Sequence, residues 1–318
     1  MPKSSVHCYF KRGMGKVHTS SVKPFLTPEN MATCIDFCKS HVNLQTNRFN
    51  NMFDYIHIDE KWYYLTKNCR RYYLGKDEEI PRRTLKSKRF VTKVMFLGAV
   101  ARPRWDSKNK RMFDGKLGIW SFTEVVEAQR TSANRPTSTL ITKALSAVTG
   151  PVYRQWLIEW LLPAIKEKFP LSTRLIKIQQ DNARPHIQPQ DPTFLQAAQR
   201  LGLNVQLVCQ PPNSPDLNVL DLGYFNSIQS LQEEEAPTNI DELVEVVENS
   251  YAKLNTRKLN NVFLTLQKVM EAVILCNGSN SYKLPHISKA LERRGQLPVS
   301  ITVSSPLRAR LAVMEEEV

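Results

Sequence analysis

The sequence lacks the marks of several protein classes. No apolar run in its 318 residues is long enough to span a bilayer, and no secretory apolar segment is found. The six cysteines contain neither a Cys-x-x-Cys pair nor a zinc-finger spacing. Cys34 and Cys38, four residues apart, are predicted to be buried thiols on one helix face. The sequence therefore predicts a soluble cytosolic or nuclear protein with reduced cysteines and no membrane partner.

Acidic residues are also comparatively few. Asp and Glu number 30 against 44 Lys and Arg, which gives a net charge of +14 and a pI near 9.5. Much of the surplus lies in residues 60–111, with sixteen basic and five acidic residues. Such a charge favours a polyanionic partner, usually DNA or RNA. The plainer alternative is a solvated basic surface without a partner.

Strand and helix patterns alternate along the chain. The predicted strands are 54–59, 61–65, 91–101, 175–180 and 205–209. The predicted helices are 28–41, 152–169, 192–201, 216–232, 239–254 and 257–276. This order predicts an α/β protein, a mixed sheet flanked by helices with an added helical C-terminal region, and it is the order of the ribonuclease-H-like fold.

The same patterns divide the chain into regions. The expected regions are 1–26, polar and basic; 27–50, a linker helix; 51–235, the sheet domain; 236–298, C-terminal helices; and 299–318, a flexible tail. Within the sheet domain, residues 102–149 carry charged turns, two glycines and a Ser/Thr/Arg-rich stretch. We expect them to form an insertion rather than core.

Three aspartates stand at decisive places in this order. Asp59 lies on the first strand, Asp181 follows the fourth, and Asp221 lies on the helix after the fifth. In a ribonuclease-H-like sheet the first and fourth strands are neighbours, so two carboxylates meet and a crossing helix brings the third. Clustered carboxylates repel one another unless protonated or metal-bound. The pattern predicts two Mg²⁺ or Mn²⁺ ions, roughly 3.5–4 Å apart, serving displacement at phosphorus.

Each aspartate has a plainer interpretation. Asp59 is also compatible with a turn residue, Asp181 with an Asx turn, and Asp221 with a solvated helix position. Two other acids compete for the ligand role. Asp216 is the better helix cap, an alternative to Ser214, and alternation along the strand points Glu60 away from Asp59.

Basic residues near the aspartates are the candidate DNA contacts. They are Lys61, Arg82, Arg83, Lys86, Lys88, Arg89, Arg184 and His186. His186 has an alternative interpretation as a structural residue of the turn after Asp181.

Together, three segments resemble the catalytic blocks of mariner-like DNA transposases of the Tc/mariner superfamily. They are Ile-Asp-Glu-Lys-Trp at 58–62, Gln-Asp-Asn-Ala-Arg-Pro-His at 180–186, and Pro-Asn-Ser-Pro-Asp-Leu-Asn-Val-Leu-Asp at 212–221. The third acid is Asp rather than Glu, and 39 residues separate it from Asp181, which is similar to the plant-type branch. The resemblance covers about residues 20–298.

The resemblance implies a nuclear cut-and-paste transposase. Asp59, Asp181 and Asp221 would hold two Mg²⁺ or Mn²⁺ ions. Water would cleave DNA at the transposon ends, and the freed 3′-hydroxyl would attack target DNA at a TA step. A homodimer on DNA is expected, aided by a loop in 102–149.

The N-terminus departs from the family pattern. Family members begin with paired helix-turn-helix units, whereas here residues 4–11 resemble only the end of a recognition helix and 21–26 the linker after it. Such a tail cannot dock a complete unit in a groove. The resemblance thus implies N-terminal truncation, as a truncated copy or an incomplete gene model. Two further hypotheses stay open: an idle remnant that binds DNA non-specifically or joins full-length transposases, and a stand-alone nuclease.

Overall fold

The fold is built on short strands and helices in the alternating order that the sequence predicts. The computed structural model describes residues 23–65, 91–131, 136–170, 175–285 and 297–316. The strands are β1 Val42–Asn43, β2 Arg48–Phe49, β3 Tyr55–Tyr64, β4 Lys93–Ala101, β5 Arg104–Asp106, β6 Arg111–Phe113, β7 Lys116–Ser121, β8 Thr123–Glu127, β9 Leu140–Ala144, β10 Ile176–Gln180 and β11 Val205–Cys209.

The helices follow the predicted positions closely. They are α1 Pro28–Ser40, α2 Gly150–Trp156, α3 Leu162–Lys168, α4 Pro192–Arg200, α5 Phe225–Gln232, α6 Ile240–Lys253, α7 Thr256–Leu275 and α8 Ser305–Glu316. Two π-helical turns, Leu157–Leu161 and Leu220–Tyr224, join α2 to α3 and lead into α5. Thr27 caps α1 by accepting from the Asn30 N–H, with Pro28 in the first turn.

A five-stranded mixed sheet forms the centre, in the order β11-β10-β3-β4-β7. β10 runs parallel to both β3 and β11, while β4 is antiparallel to β3 and β7. The predicted mixed sheet is confirmed, including the adjacency of its first strand to the strand that precedes Asp181.

Helices cover both faces of this sheet, because a strand such as β3 carries buried side chains on both of its faces. Alternate side chains of a strand point to opposite faces. Ile56 and Ile58 join the core formed with α2, α3 and α4, whereas Tyr55 and Tyr63 join the core formed with α5, α6 and α7. Both layers bury continuous apolar stripes, which drive the packing.

The prediction of two separate strands at 54–59 and 61–65, paired as a hairpin, is wrong. β3 is one strand of 10 residues, paired with β4 from Ile56 opposite Ala101 to Tyr64 opposite Lys93. No Gly, Pro or Asn interrupts the sequence at 59–62, and Asp59, the one turn-forming residue there, is part of the continuous strand.

Residues 102–149 are not simply an insertion. β7 is the edge strand of the central sheet, and its Leu117 and Ile119 are buried. The remaining strands of this region form the hairpins β5–β6 and β8–β9. Gly115 before β7, Gly118 within it and the neighbouring charged residues interrupt the apolar pattern. The short alternation of buried and partly exposed residues in β7 is therefore not evident from the sequence.

The expected flexible tail at 299–318 is also wrong for most of its length. α8 packs on α7 through Leu307 and Leu311, both buried. The spacing of four residues gives this polar segment one apolar face. In the described part of the chain, no helix is both long and apolar enough to cross a membrane.

Candidate catalytic and metal site

Two strands bring the first two aspartates side by side. β3 and β10 are parallel, with Gln179 opposite His57. Asp59 lies two residues after His57 and is buried within β3. Asp181 lies two residues after Gln179, immediately after the end of β10. The parallel pairing of β3 with β10 therefore places Asp59 and Asp181 at the same edge of the sheet, as the sequence predicts.

The π-helical turn Leu220–Tyr224 brings the third aspartate. This turn contacts β3 and places the carboxyl group of Asp221 next to that of Asp59. Burial, then the charges of Asp221, Glu60 and Asp181, raise the pKa of Asp59 to about 9. Asp221 is exposed by surface area, yet desolvation of its carboxyl group raises its pKa as well. The two carboxyl groups therefore share a proton at neutral pH, as expected of adjacent acids.

Asn218 fixes this pair in place, a role that sequence reasoning missed. Its fully buried amide nitrogen donates to the backbone oxygen of Ile58 at 3.1 Å and to Oδ2 of Asp59 at 3.1 Å. Its Oδ1 accepts from the N–H of Leu220 at 3.0 Å, at the start of the π-helical turn. An Asn just before a helical start is the available sequence signal.

The predicted helix cap by Asp216 or Ser214 is wrong. Residues Pro215–Leu217 form a separate 3₁₀ turn without a side-chain cap, and Asn218 is extended. Asp216 instead accepts a hydrogen bond from the Tyr282 hydroxyl at 3.1 Å. The extended backbone of Asn218, whose side chain is bonded to β3, separates this turn from the helical residues that follow.

Asp181 is held by a buried histidine. His186 Nδ1 lies 2.8 Å from Asp181 Oδ1, and its Nε2 lies 3.0 Å from Glu60 Oε2. The imidazole stacks on Tyr153 with ring centroids 4.3 Å apart. Burial opposes a charge on His186, but the hydrogen bonds to Asp181 and Glu60 prevail and raise its pKa to about 10. Burial likewise opposes a charge on Asp181, but hydrogen bonds from His186 and the Ala183 N–H lower its pKa.

Glu60 therefore belongs to the surroundings of the site, although the sequence argument set it aside. It does lie on the sheet face opposite to Asp59, as alternation predicts. On that face it meets His186, which arrives from the loop after β10.

The basic residues predicted to contact DNA lie in different surroundings. The charge of Lys61 opposes, without reversing, the rise in the pKa of Asp221, and its Nζ lies 5.8 Å from the Phe225 ring centroid. Arg184 is exposed in the turn after Asp181. The side chain of His186 is 4% exposed with both nitrogens engaged, so it is not free to meet a phosphate. The others lie outside the described residues: Arg82, Arg83, Lys86, Lys88 and Arg89.

The donor set suits a hard divalent cation. Carboxylate oxygens are the ligands Mg²⁺ and Mn²⁺ prefer, and a cation would replace the proton between Asp59 and Asp221. The side chains are not gathered into a ready cage, since no group of three or more His, Cys, Asp or Glu within the described ranges is arranged to hold a metal. The residues fit the ion chemically, and closing around it requires side-chain movement.

Comparison with solved structures identifies the fold. No protein-family model matches the sequence, and no curated protein matches it. A pre-cleavage Mos1 transpososome matches with a TM-score of 0.60 at 16% identity, covering 87% of this chain and 72% of the other. The chain has the fold of a mariner transposase. A Mos1 paired-end complex with the left transposon end gives 0.59 at 18% identity, covering 86% and 70%.

A further Mos1 mariner paired-end complex contains Mn and matches with a TM-score of 0.58 at 16% identity, covering 89% of this chain and 72% of the other. The ribonuclease-H-like architecture predicted from the element order is confirmed by this mariner fold. At sequence identities of 16–18%, the similarity to these structures shows the fold alone.

Proposed function

We propose that the chain is a transposase catalytic domain that cleaves and joins DNA strands with divalent metal ions. The observation that carries the proposal is the placement of Asp59 on β3, Asp181 directly after the neighbouring parallel strand β10, and Asp221 on the π-helical turn that contacts β3. A basic protein with this acidic cluster in a mariner transposase fold is suited to chemistry on DNA phosphates.

The chain's own residues have distinct parts in this proposal. Asp59, Asp181 and Asp221 would hold two Mg²⁺ or Mn²⁺ ions, and Asn218 keeps Asp59 oriented toward the pair. Lys61 places a positive charge next to Asp221. When bound, such ions activate an attacking oxygen and stabilise the leaving one.

DNA is the proposed partner. The net charge of +14 supports a polyanion, and Lys61 and Arg184 are the described cations beside the aspartates. The solved relatives include complexes with transposon ends. We extend the proposal to transposon ends, to target DNA at a TA step and to a nuclear location. A homodimer is also proposed, and the β8–β9 hairpin offers exposed Val125 and Leu140 for contact with a second copy.

The plant-type assignment remains part of the proposal. It rests on Asp as the third acid and on the 39 residues between Asp181 and Asp221. Of the expected helix-turn-helix remnant and linker at 1–26, residues 1–22 lie outside the described residues.

A second candidate is an idle relative that binds DNA without cutting it or associates with full-length transposases. The absence of a ready three-ligand metal cluster among the described residues favours it. It predicts DNA binding that weakens steeply with salt, because phosphate contacts release counterions.

A strand-transfer assay separates these functions. An oligonucleotide with a pre-cut 3′-hydroxyl end is incubated with supercoiled plasmid and Mn²⁺, using the wild type and Asp181→Asn. Joined products that disappear in the variant support a transposase. Nicking without joining indicates a nuclease. Salt-sensitive binding without either reaction at any metal concentration indicates the idle relative.

A further inference from the structure

A chain of side chains crosses the sheet edge behind Asp181. Glu60 Oε2, the His186 imidazole and Asp181 Oδ1 are linked at 3.0 Å and 2.8 Å. Nε2 faces the Glu60 carboxylate, and Nδ1 faces both Oδ1 and the backbone oxygen of Asp181, the latter at 3.0 Å, so the ring donates from both nitrogens. The imidazole is thus a fixed bridge between two acids from different elements.

The surroundings leave this bridge little freedom. The side chains of His186 and Glu60 are 4% and 14% exposed. Tyr153 is buried beneath the imidazole at an interplanar angle of 17°, and its hydroxyl donates to Gln180 Oε1 at 3.3 Å. Gln180 in turn donates to the backbone oxygen of Ile187 at 2.7 Å, which ties down the loop that carries His186.

The bridge divides the two oxygens of Asp181. Oδ1 accepts from the Ala183 N–H at 2.8 Å and forms an ion pair with His186 Nδ1 at 2.8 Å, while the same Nδ1 is hydrogen-bonded to the Asp181 backbone oxygen at 3.0 Å. In the described part of the chain, Oδ2 accepts no hydrogen bond, and the side chain is 42% exposed. The bridge thereby engages Oδ1 of Asp181, whereas Oδ2 has no protein partner among the described residues.

We infer that Glu60 and His186 are positioning residues, which orient Asp181 so that it offers a single carboxylate oxygen to a divalent cation. The inference deepens the proposed function and rests on it. Partners behind a metal ligand typically change affinity by about 10–100-fold when they are removed. A bridge that serves only to stabilise the fold would lack this effect.

Glu60→Ala, Glu60→Gln and the wild type test the inference, with Glu124→Ala as the control. Glu124 is an exposed carboxylate on β8, far along the chain from the site. The readout is the dissociation constant for Mn²⁺ without DNA, from electron paramagnetic resonance of the free ion. Glu60→Ala is expected to weaken binding about 10–100-fold. Glu60→Gln, whose amide oxygen still accepts from Nε2, is expected to keep most of the affinity, and Glu124→Ala all of it.

The outcomes separate the two claims. Wild-type affinity in folded Glu60→Ala overturns the positioning role and leaves the proposed function standing. No Mn²⁺ binding by the wild type overturns both. If Glu60→Ala does not fold by circular dichroism, His186→Gln removes the same bridge at similar volume. Unchanged Mn²⁺ affinity in that variant then counts against the inference, and a loss of at least tenfold supports it.

Discussion

Asp59 lies directly opposite Gly98 in the antiparallel pairing of β3 with β4, and Phe225 fills the space that glycine leaves on that face. A Cβ atom at position 98 would lie 2.9 Å from Phe225 Cε1 and 3.5 Å from Leu220 Cδ2. Leu220 and Phe225 flank the segment that carries Asp221. The distance between the first and third aspartates thus depends on a residue without a side chain.

Gly98→Ala is expected to disturb this arrangement. The added methyl group must push Phe225 and the π-helical turn away from β4, which costs about 1–3 kcal/mol of unfolding free energy. Mn²⁺ affinity should fall with it, because Asp221 moves away from Asp59. Urea unfolding and a Mn²⁺ titration measure the two effects. Gly150→Ala, whose Cβ would meet only Pro185 O at 3.6 Å, is the control. Equal stability of the two variants would contradict the packing argument.

Asn218→Ala tests the anchor between the first and third blocks. The change leaves Ile58 O and Leu220 N without their side-chain partner and frees Asp59 Oδ2. Unpaired buried groups cost about 1–3 kcal/mol each, so unfolding free energy should drop by at least that amount. Asn226→Ala, at an exposed position on α5, is the matched control. A drop no larger than in the control would remove the assigned role of Asn218.

The shared proton predicts a pH dependence of metal binding. The folded pKa of Asp59 is about 9, well above its ordinary value of 3.8. Between these values the folded protein holds a proton that the unfolded chain lacks, so metal-free stability is full below 3.8 and declines as pH rises toward 9. A cation must expel that proton.

Calorimetry at pH 7.5 in buffers of different ionisation enthalpy should therefore detect about one proton released per site filled by Mn²⁺. Affinity should rise with pH up to about 9. Asp59→Asn, which has no such proton, should show neither effect. Proton release that persists in this variant would place the titrating group elsewhere.

His57 predicts a separate acid sensitivity. The imidazole is fully buried on β3 beside Phe263, and neither nitrogen has a partner among the described residues. Burial, with a contribution from His41, lowers its pKa to about 3. Between pH 6.5 and 3 the unfolded chain binds a proton that the folded protein refuses, so stability falls as pH falls, by up to about 1.4 kcal/mol per pH unit.

His57→Phe should flatten that slope, because Phe keeps the ring packing and cannot be protonated. Urea unfolding at pH 7 and pH 4.5 measures it for both proteins. Parallel losses in the wild type and the variant would exclude His57 as the cause.

Local sequence patterns predicted most of the frame. Alternation and apolar spacing located β4, β10 and β11, and the strand order then set Asp59 beside Asp181. Two elements were not predicted from the sequence. The strand β7 is short and interrupted by glycines and charged residues, and the helix α8 has only two buried leucines, four residues apart, on its apolar face. Such segments owe their structure to packing partners rather than to their own propensity.

The residues of the site likewise divide into those that the sequence predicts and those that it does not. The three aspartates could be predicted because each belongs to a recognisable segment. The contact of Glu60 with His186 could not, since 126 positions separate them and the pairing depends on how the loop after β10 returns to β3. Asn218 had a capping signal, but its bond to Asp59 exists only after the third block packs on the sheet.

The most direct test of the account is anomalous diffraction from crystals of this chain soaked in Mn²⁺. Anomalous density is expected next to carboxylate oxygens of Asp59, Asp181 and Asp221, with Asp181 contributing Oδ2 while Oδ1 stays with His186. Density elsewhere, or none at these residues when Mn²⁺ is saturating, would contradict it.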